Sequence, residues 1–307
     1  MEFTAKDVAK LREKTGCGMM DCKRALTEAD GDMDKAIDIL REKGLAASQK
    51  KAGRIAAEGT VYAVVEDGTG VVIEVNSETD FVAKNAEFMA FVDTCAKTVI
   101  AENPADVEAL LACTAVGSDT TIDAMLKEKI LVIGENIKIR RFEKYEGAVV
   151  TYVHAGGRIG VMVKFETTEE VAAKPEFAEF GKDVAMQIAA LNPQYIAPEN
   201  IPEDVLEKEK GIIMEQLHND PKNANKPAKI IEERILPGRL NKLFEEICLL
   251  NQAFVKDGDI TVGKYVENTA KALGGDIKVV SFVRYEKGEG LEKREDNFAN
   301  EVASMIK

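Results

Sequence analysis

The chain has 307 residues, 45% of them hydrophobic, and is therefore long enough to bury a substantial core in one large domain or in two to three smaller ones. Lys and Arg number 41 against 54 Asp and Glu, which gives a formal net charge of −13. The basic residues are interspersed with acidic ones instead of being gathered into arms. This pattern disfavours sequence-independent binding to DNA or RNA, and we expect no direct nucleic-acid binding.

The N-terminal residues and the cysteines indicate the compartment. Residues 1 to 10 are mixed and charged, and no run of about 18 apolar residues occurs in the sequence. We therefore expect neither export nor membrane insertion, and a cytoplasmic location. The cysteines are odd in number and widely scattered, which predicts free thiols; they are Cys17, Cys22, Cys95, Cys113 and Cys248.

The first segment has the pattern of short amphipathic helices. Thr4 followed by Asp7 is typical of a capped helix start, and a second helix is expected from about Met20 to Ala29. A third is expected to end at Gly44, followed by a basic, alanine-rich linker. These helices close their own apolar faces, so residues 1–53 are predicted to form a separate three-helix domain.

An internal repeat with an offset of roughly 88 to 90 residues follows this segment. Glu58-Gly59 recurs as Glu146-Gly147, and Asn103-Pro104 recurs as Asn192-Pro193. Alternating strands that form a hairpin, followed by a helix, fit both copies. Because the strands precede a helix without parallel crossovers, the repeat predicts an α+β fold of two related subdomains built from antiparallel strands with helices.

Each half of the repeat also ends alike, because the segment from Ile137 to Tyr145 matches the segment from Ile277 to Tyr285. A charged stretch with two helical patterns around a turn interrupts the second half and predicts an inserted helical hairpin. The resulting division is a core subdomain N at 54–145, a core subdomain C at 146–290 with the hairpin at about 199–236, and a C-terminal module at 291–307.

The sequence offers little for catalysis or cofactor binding. It has two histidines, His154 and His218, neither in a nucleophile signature, and no paired Cys/His motif at zinc spacing. The glycine-rich stretch from Gly156 to Gly160 lacks the lysine and hydroxyl residue of a phosphate loop and suits a hairpin turn. We expect no cofactor, no metal and no covalent chemistry.

Two longer motifs carry a resemblance. Leu11 to Leu26 reads LREKTGCGMMDCKRAL and Glu74 to Lys84 reads EVNSETDFVAK. Both closely resemble signatures of the elongation factor Ts family of bacterial translation, which usually has alanine at the position of Cys17 and cysteine at that of Ser77. The resemblance extends over essentially the whole chain. A larger departure is Pro237, which stands where related sequences continue a helix.

The resemblance implies an N-terminal ubiquitin-associated-type three-helix domain, the two core subdomains, a helical-hairpin extension and a C-terminal module. It implies a guanine nucleotide exchange factor whose partner is elongation factor Tu, in its GDP-bound and nucleotide-free forms. From the residues alone a binding adaptor or scaffold without effect on any nucleotide stays open, as does self-association. An enzyme using paired carboxylates has no spacing in its favour.

The segment Thr79, Asp80, Phe81, Val82 is, by this resemblance, expected to reach towards the partner's magnesium site and dislocate the ion. The alternative is an ordinary loop in which Phe81 folds under as core. The equivalent stretch of the second repeat, Thr167 to Val171, has no aromatic residue. Phe81 is therefore not required by the shared fold, which favours a task peculiar to the first subdomain.

Further partner contacts are expected in both halves. Adjacent methionines at a helix start cannot both face one core, so at least one of Met19 and Met20 is predicted to be exposed. His154 is by default a solvated turn residue, and the linker lysines are usually solvated as well. The resemblance implies that the partner-binding residues are Arg12, Met19, Met20, Lys23, Lys51 and His154.

Overall fold

A computed structural model of the chain describes residues 3–223 and 226–292. Helices at the N-terminus precede small antiparallel sheets with helices, which confirms the predicted α+β fold. In these ranges no helix combines the length and apolar character needed to cross a membrane. Most of the predicted C-terminal module, 291–307, lies outside the described residues.

The N-terminal helical unit consists of α1 (Ala5–Thr15), α2 (Met19–Glu28) and α3 (Met33–Lys51). The predicted cap of α1 is confirmed, because the backbone N–H of Thr4 donates to the Asp7 carboxylate at 2.8 Å. The side chains that the helices bury against one another include Val8, Leu11, Cys22, Ala25, Leu26 and Leu40.

The first half of the repeat is an antiparallel sheet covered by helices. Its elements are β1 (Glu58–Glu66), β2 (Thr69–Ser77), α4 (Ala86–Glu102), α5 (Val107–Ala112), α6 (Ile122–Ile133) and β3 (Lys138–Glu146). The sheet order is β1-β2-β3, so the predicted closing strand lies beside β2. Ile73 of the sheet and Phe88 and Phe91 of α4 are buried in a common core.

The second half repeats this plan and carries the insertion. Its elements are β4 (Ala148–His154), β5 (Ile159–Glu166), α7 (Glu169–Ala172), α8 (Pro175–Leu191), α9 (Glu203–Asn219), α10 (Ala228–Ile230), α11 (Leu236–Ile247), β6 (Ala253–Phe254), β7 (Asp257–Thr261), α12 (Val262–Leu273) and β8 (Lys278–Glu286). The sheet order is β4-β5-β8. The register shifts after Glu74 in the first sheet and after Lys164 in the second, so even the irregularity is repeated.

The expected end of α3 at Gly44 is wrong, because the helix continues to Lys51. A Cβ atom on Gly44 would lie 3.3 Å from the backbone oxygen of Lys127 in α6. Gly44 is therefore the point at which α3 approaches the backbone of α6. Of the segment expected to be a linker, 45–57, residues 45–51 are the last two turns of α3. Leu131 and Val132 of α6 extend the apolar cluster of the N-terminal helical unit.

The inserted hairpin pairs α9 with α11, and Leu217 and Ile231 are buried within it. Its second helical segment continues through Pro237 to Ile247. Proline lacks an N–H and clashes with the carbonyl four residues earlier, which normally kinks a helix. Here residues Ile231–Ile235 form a π-helical turn immediately before Pro237, and this wider turn accommodates the ring.

The two sheets pack face to face through a matched pair of glycines. A Cβ atom on Gly70 of β2, or on Gly160 of β5, would collide with valine or methionine side chains of the opposite sheet. Each glycine thus lets the other half approach closely. The residues that the two glycines meet are themselves repeat equivalents, Val149 and Met162 opposite Gly70, and Val61 and Val72 opposite Gly160.

Candidate functional site

The loop between β2 and α4 presents one apolar side chain outward and one inward. Val82 is buried against the core of the first half, whereas the adjacent Phe81 is 78% exposed. A short 3-10 turn, Val82–Lys84, follows, and Asn85 then caps α4 by accepting from the N–H groups of Glu87 and Phe88. Phe81 is therefore not part of the core.

The carboxylate of Glu135 holds the start of this loop. Glu135 follows Gly134, the left-handed residue that ends α6. Its Oε2 accepts from the N–H groups of Glu78 and Thr79, each at 3.0 Å, and its Oε1 accepts from Thr79 Oγ1 at 2.6 Å. Hydrogen bonds to an ionised acceptor are the stronger kind, so the backbone two residues before Phe81 is tied to the end of α6.

A second carboxylate, that of Glu78 in the loop, binds the chain just after Glu135. Glu78 Oε1 accepts from the backbone N–H of Asn136 at 2.7 Å and from Arg54 at 3.2 Å. The Asn136 side chain in turn donates to the Arg54 carbonyl at 2.8 Å. We call Glu78, Thr79, Glu135 and Asn136 the loop clamp; it joins the Phe81 loop, the end of α6 and the chain leaving α3.

The second repeat joins the corresponding segments without a carboxylate, because Thr167 Oγ1 there donates to the carbonyl of Asp276 at 2.7 Å. Buried Val171 corresponds to Val82, which places Glu170 at the position of Phe81. Gly274 ends α12 as Gly134 ends α6, so Gly275 stands at the position of Glu135. A Cβ atom on Gly275 would lie 2.7 Å from a methyl group of Val171, which leaves no room for a carboxylate.

Asp80 makes a weaker local contact. Its carboxylate lies 3.6 Å from the Lys84 ammonium, and both side chains are exposed. An exposed pair one helical turn apart contributes little to stability because water screens it. Asp80 is therefore available to another molecule.

The N-terminal helical unit exposes the methionine pair predicted from sequence. Met19 is 45% exposed and Met20 is 61% exposed at the start of α2, while Cys22 on the same helix faces inward. Arg12 and Lys23 are exposed as well. Lys23 lies one helical turn after Met19 on α2, and flexible thioethers near a basic side chain suit contact with an apolar surface that has an acidic rim.

Lys51 and His154 occupy different surroundings. Lys51 Nζ donates to the carbonyl of Ile130 in α6 at 3.0 Å, and burial lowers the pKa of the Lys51 ammonium. Lys51 thus fastens the end of α3 to the helix that carries the loop clamp. His154 lies exposed at the end of β4 in the other half, with Nδ1 2.8 Å from the hydroxyl of Tyr152.

Comparison with known proteins decides the family. The family model described as elongation factor TS matches residues 78–289. The elongation factor Ts of Syntrophotalea carbinolica is 49% identical over the full length of both chains. That of Symbiobacterium thermophilum is 51% identical over 98% of this chain and 97% of its own, and that of Clostridium perfringens 48% identical over 99% of each.

The chain belongs to the elongation factor Ts family.

Membership makes the chain a translation elongation factor, as its resemblance implied. The part matched by the elongation factor Ts model begins at Glu78, the first residue of the loop clamp, and includes Glu135. The N-terminal helical unit lies before that match but within the stretch shared with the full-length relatives. The five cysteines, all within the described residues, are free thiols as predicted.

Sequence reasoning missed three members of the loop clamp as functional residues, Glu78, Glu135 and Asn136, while Thr79 belonged to the predicted segment. Glu135 belongs to the run IGENI from Ile133 to Ile137, which follows a helix-ending glycine. A glutamate directly after such a glycine, with no counterpart in the other repeat, was a usable signal. That signal did not identify the groups that Glu135 binds, because they are backbone amides 56 and 57 residues away in the sequence.

Proposed function

We propose that this member of the elongation factor Ts family is a guanine nucleotide exchange factor that binds elongation factor Tu carrying GDP, promotes GDP release and so allows GTP to reload. The observation that carries the proposal is Phe81, a large aromatic side chain that is 78% exposed on a tied loop. Thr79, Asp80, Phe81 and Val82 form the segment that disturbs the partner's magnesium and phosphate site. No covalent chemistry is involved, and the protein acts in the cytoplasm.

The thermodynamic requirement is differential binding. Backbone amides and magnesium hold the phosphates of a bound nucleotide, so release requires those contacts to weaken together. A protein that binds the nucleotide-free carrier more tightly than the GDP-bound carrier weakens GDP binding by the same factor. The exchange factor therefore needs a contact that forms fully only when the metal site is disturbed.

Burial of Phe81 in the carrier supplies such a contact. Transfer of an exposed phenylalanine into an apolar site is worth roughly 1.5 to 3 kcal/mol. Since about 1.4 kcal/mol corresponds to tenfold in affinity, this side chain alone accounts for roughly ten- to a hundredfold in the release equilibrium.

The remaining contacts are proposed to give affinity and orientation. Met19 and Met20, together with the exposed Arg12 and Lys23, bind the carrier's nucleotide domain, and His154 binds its third domain. Lys51 acts from within, because its ammonium is bound to the Ile130 carbonyl and so holds the N-terminal helical unit against α6.

The test is release of fluorescent GDP from preloaded elongation factor Tu, followed after mixing with excess unlabelled nucleotide. We expect catalytic amounts of the chain to accelerate release many-fold. A binding adaptor would form the complex and leave the release rate unchanged. That result, with complex formation verified by gel filtration, would contradict the proposal.

A further inference from the structure

We propose that Glu135 is a positioning residue for nucleotide exchange, because it sets the height and direction at which Phe81 is presented to the carrier. This inference rests on the proposed function. The carboxylate oxygens of Glu135 accept hydrogen bonds from the backbone N–H groups of Glu78 and Thr79 and from the Thr79 hydroxyl, so they are already engaged within the chain. Glu135 therefore acts through Phe81.

The geometry favours this role over general stabilisation of the fold. Both carboxylate oxygens of Glu135 are used on one short stretch, and that stretch ends two residues before Phe81. On the other side of Phe81, Val82 is buried in the core and Asn85 caps α4. The exposed ring is thus carried by a short segment fixed at both ends, and Glu135 provides the fixing on one side.

Comparison of the two repeats supports the same conclusion. The second half has the same sheet, the same buried valine and the same helix-ending glycine, yet it has Gly275 in place of Glu135 and Glu170 in place of Phe81. The fold is therefore built without the carboxylate there. The first half thus has both the Glu135 carboxylate and the exposed Phe81 ring, and the second half has neither at the equivalent positions.

A fixed loop matters because the ring must enter a site on the carrier against the bound magnesium and phosphates. A loop that samples many conformations would lose conformational entropy on binding, and a small misplacement of a reacting or inserting group is costly. Glu135 removes that cost before the encounter. Its loss should lower the rate of exchange without removing any group that touches the carrier.

The first measurement concerns the free protein. In the unmodified chain, the amide hydrogens of Glu78 and Thr79 should be protected from exchange with solvent. In Glu135→Ala they should exchange faster, while the amide of Val75 in β2 stays protected. Unchanged protection at Glu78 and Thr79 would overturn the inference, whatever the effect on nucleotide release.

The second measurement is a double-mutant cycle on stimulated GDP release with Glu135→Ala, Phe81→Ala and the double variant. We expect Glu135→Ala to lower the maximal release rate by about tenfold, below the roughly hundredfold cost of a 1 Å misplacement, because Val82 still holds the other side of the ring. In the Phe81→Ala background the same change should have little further effect, because its consequence passes through the ring. Multiplying effects in the double variant, or a normal rate for Glu135→Ala, would overturn the positioning role.

Two further variants keep the test decisive. Glu135→Gln retains one acceptor oxygen and should give an intermediate rate; it replaces Glu135→Ala in the cycle if the alanine variant fails to fold. Asp106→Ala is the matched control, because Asp106 also accepts a backbone N–H, that of Ala109 at 2.8 Å, but at the start of α5. It should lose stability and keep the normal release rate. A normal rate for Phe81→Ala would instead contradict the proposed function itself.

Discussion

Phe81 and Val82 are neighbours with opposite environments, and the contrast separates the two interpretations of the loop. Val82 is buried in the first core, so it holds the loop down. Phe81 is 78% exposed, so its side chain contributes little burial energy to the fold, and exposure of a large apolar side chain is unfavourable in water. A residue that the fold does not use is available to a partner.

We expect Phe81→Ala to lower stimulated GDP release at least several-fold and to leave the melting temperature almost unchanged, because no packed site is emptied. Val82→Ala is the contrasting variant. Since it removes methyl groups from a buried position, it should cost about 2 kcal/mol of unfolding free energy. Thermal melting and the fluorescent-GDP assay, applied to both variants, give the comparison.

The repeat supplies the control for this prediction. Glu170→Phe places an aromatic ring at the equivalent position of the second half, where it should be exposed and harmless to the fold. In a chain that also carries Phe81→Ala it should not restore exchange, because the loop clamp and the carrier's metal site are both absent from its surroundings. Restored exchange would show that any exposed aromatic ring on the chain suffices.

For single residues, the sequence predicted those features that could be found by comparing the two repeats or by comparing adjacent residues. The missing aromatic twin correctly indicated that Phe81 is not core, and the adjacency of Met19 and Met20 correctly indicated exposure. Glu135 could not be paired from sequence, because its partners are backbone N–H groups, which every residue but proline offers.

Helix α3 continues past Gly44, the residue at which its sequence predicts a helix end. Glycine after an apolar helical run favours a helix end, but the same residue also permits close approach of another backbone. The second effect prevails at Gly44, where α6 lies 3.3 Å from the position of a Cβ atom. The choice depends on a contact with a helix that begins at Ile122, which local sequence does not contain.

We expect Gly44→Val to destabilise the contact between α3 and α6 by about 1 to 3 kcal/mol, the usual cost of forcing extra atoms into a packed site. Gly211→Val is the matched control, since Gly211 lies within α9 and nothing lies within 4 Å of the position of an added Cβ atom. That change should be neutral or slightly stabilising because valine is a better helix former than glycine. Denaturant unfolding of both variants measures the difference; equal effects would contradict the assignment of Gly44.

A hairpin of two helices was predicted at about 199–236. The structure has a helical hairpin there, but its second helical segment extends beyond the predicted end, through α11 to Ile247. The helical path beyond Leu236 was less predictable. Proline at 237 argues for a helix end by itself, and the π-helical turn that accommodates it depends on the backbone of the preceding residues.

At the scale of the whole molecule, we propose that residues 1–53 form a separable domain, as the sequence indicated, but one that is docked on α6. A chain beginning at Gly53 should keep a cooperative unfolding transition and bind elongation factor Tu more weakly, because Met19 and Met20 are removed. Its melting temperature should fall by several degrees, since Leu131 and Val132 lose their apolar cover. Collapse of the cooperative transition would count against the boundary.

The pairing of the two sheets is the part of the architecture that the sequence did not predict. The repeat indicated two similar subdomains and their closing strands, and both are present. It did not indicate which faces meet, because the buried faces of both sheets read as similar apolar patterns. The decisive residues are Gly70 and Gly160, whose importance lies in contacts across the molecule.

We expect Gly70→Val to cost at least 2 kcal/mol of unfolding free energy, because the added side chain would occupy the volume of Val149 and Met162. Gly258→Val in β7, where nothing lies within 4 Å of the position of an added Cβ atom, is the control and should be nearly neutral. Loss of the interface should appear as separation of one unfolding transition into two. A single unshifted transition for Gly70→Val would contradict the packing.

The reciprocity of that glycine interface also bears on ancestry. Gly70 meets the counterparts of the residues that Gly160 meets, which is the rule for contacts between identical subunits related by a two-fold axis. The two halves therefore have the form of a homodimer carried in one polypeptide, the arrangement that gene duplication and fusion produces. Because the two copies are encoded separately within one chain, they can differ, and one half has Phe81 and Glu135 while the other has Glu170, Gly275 and a helical insertion. Covalent linkage thus permits two different surfaces on a molecule whose sheet interface is symmetric.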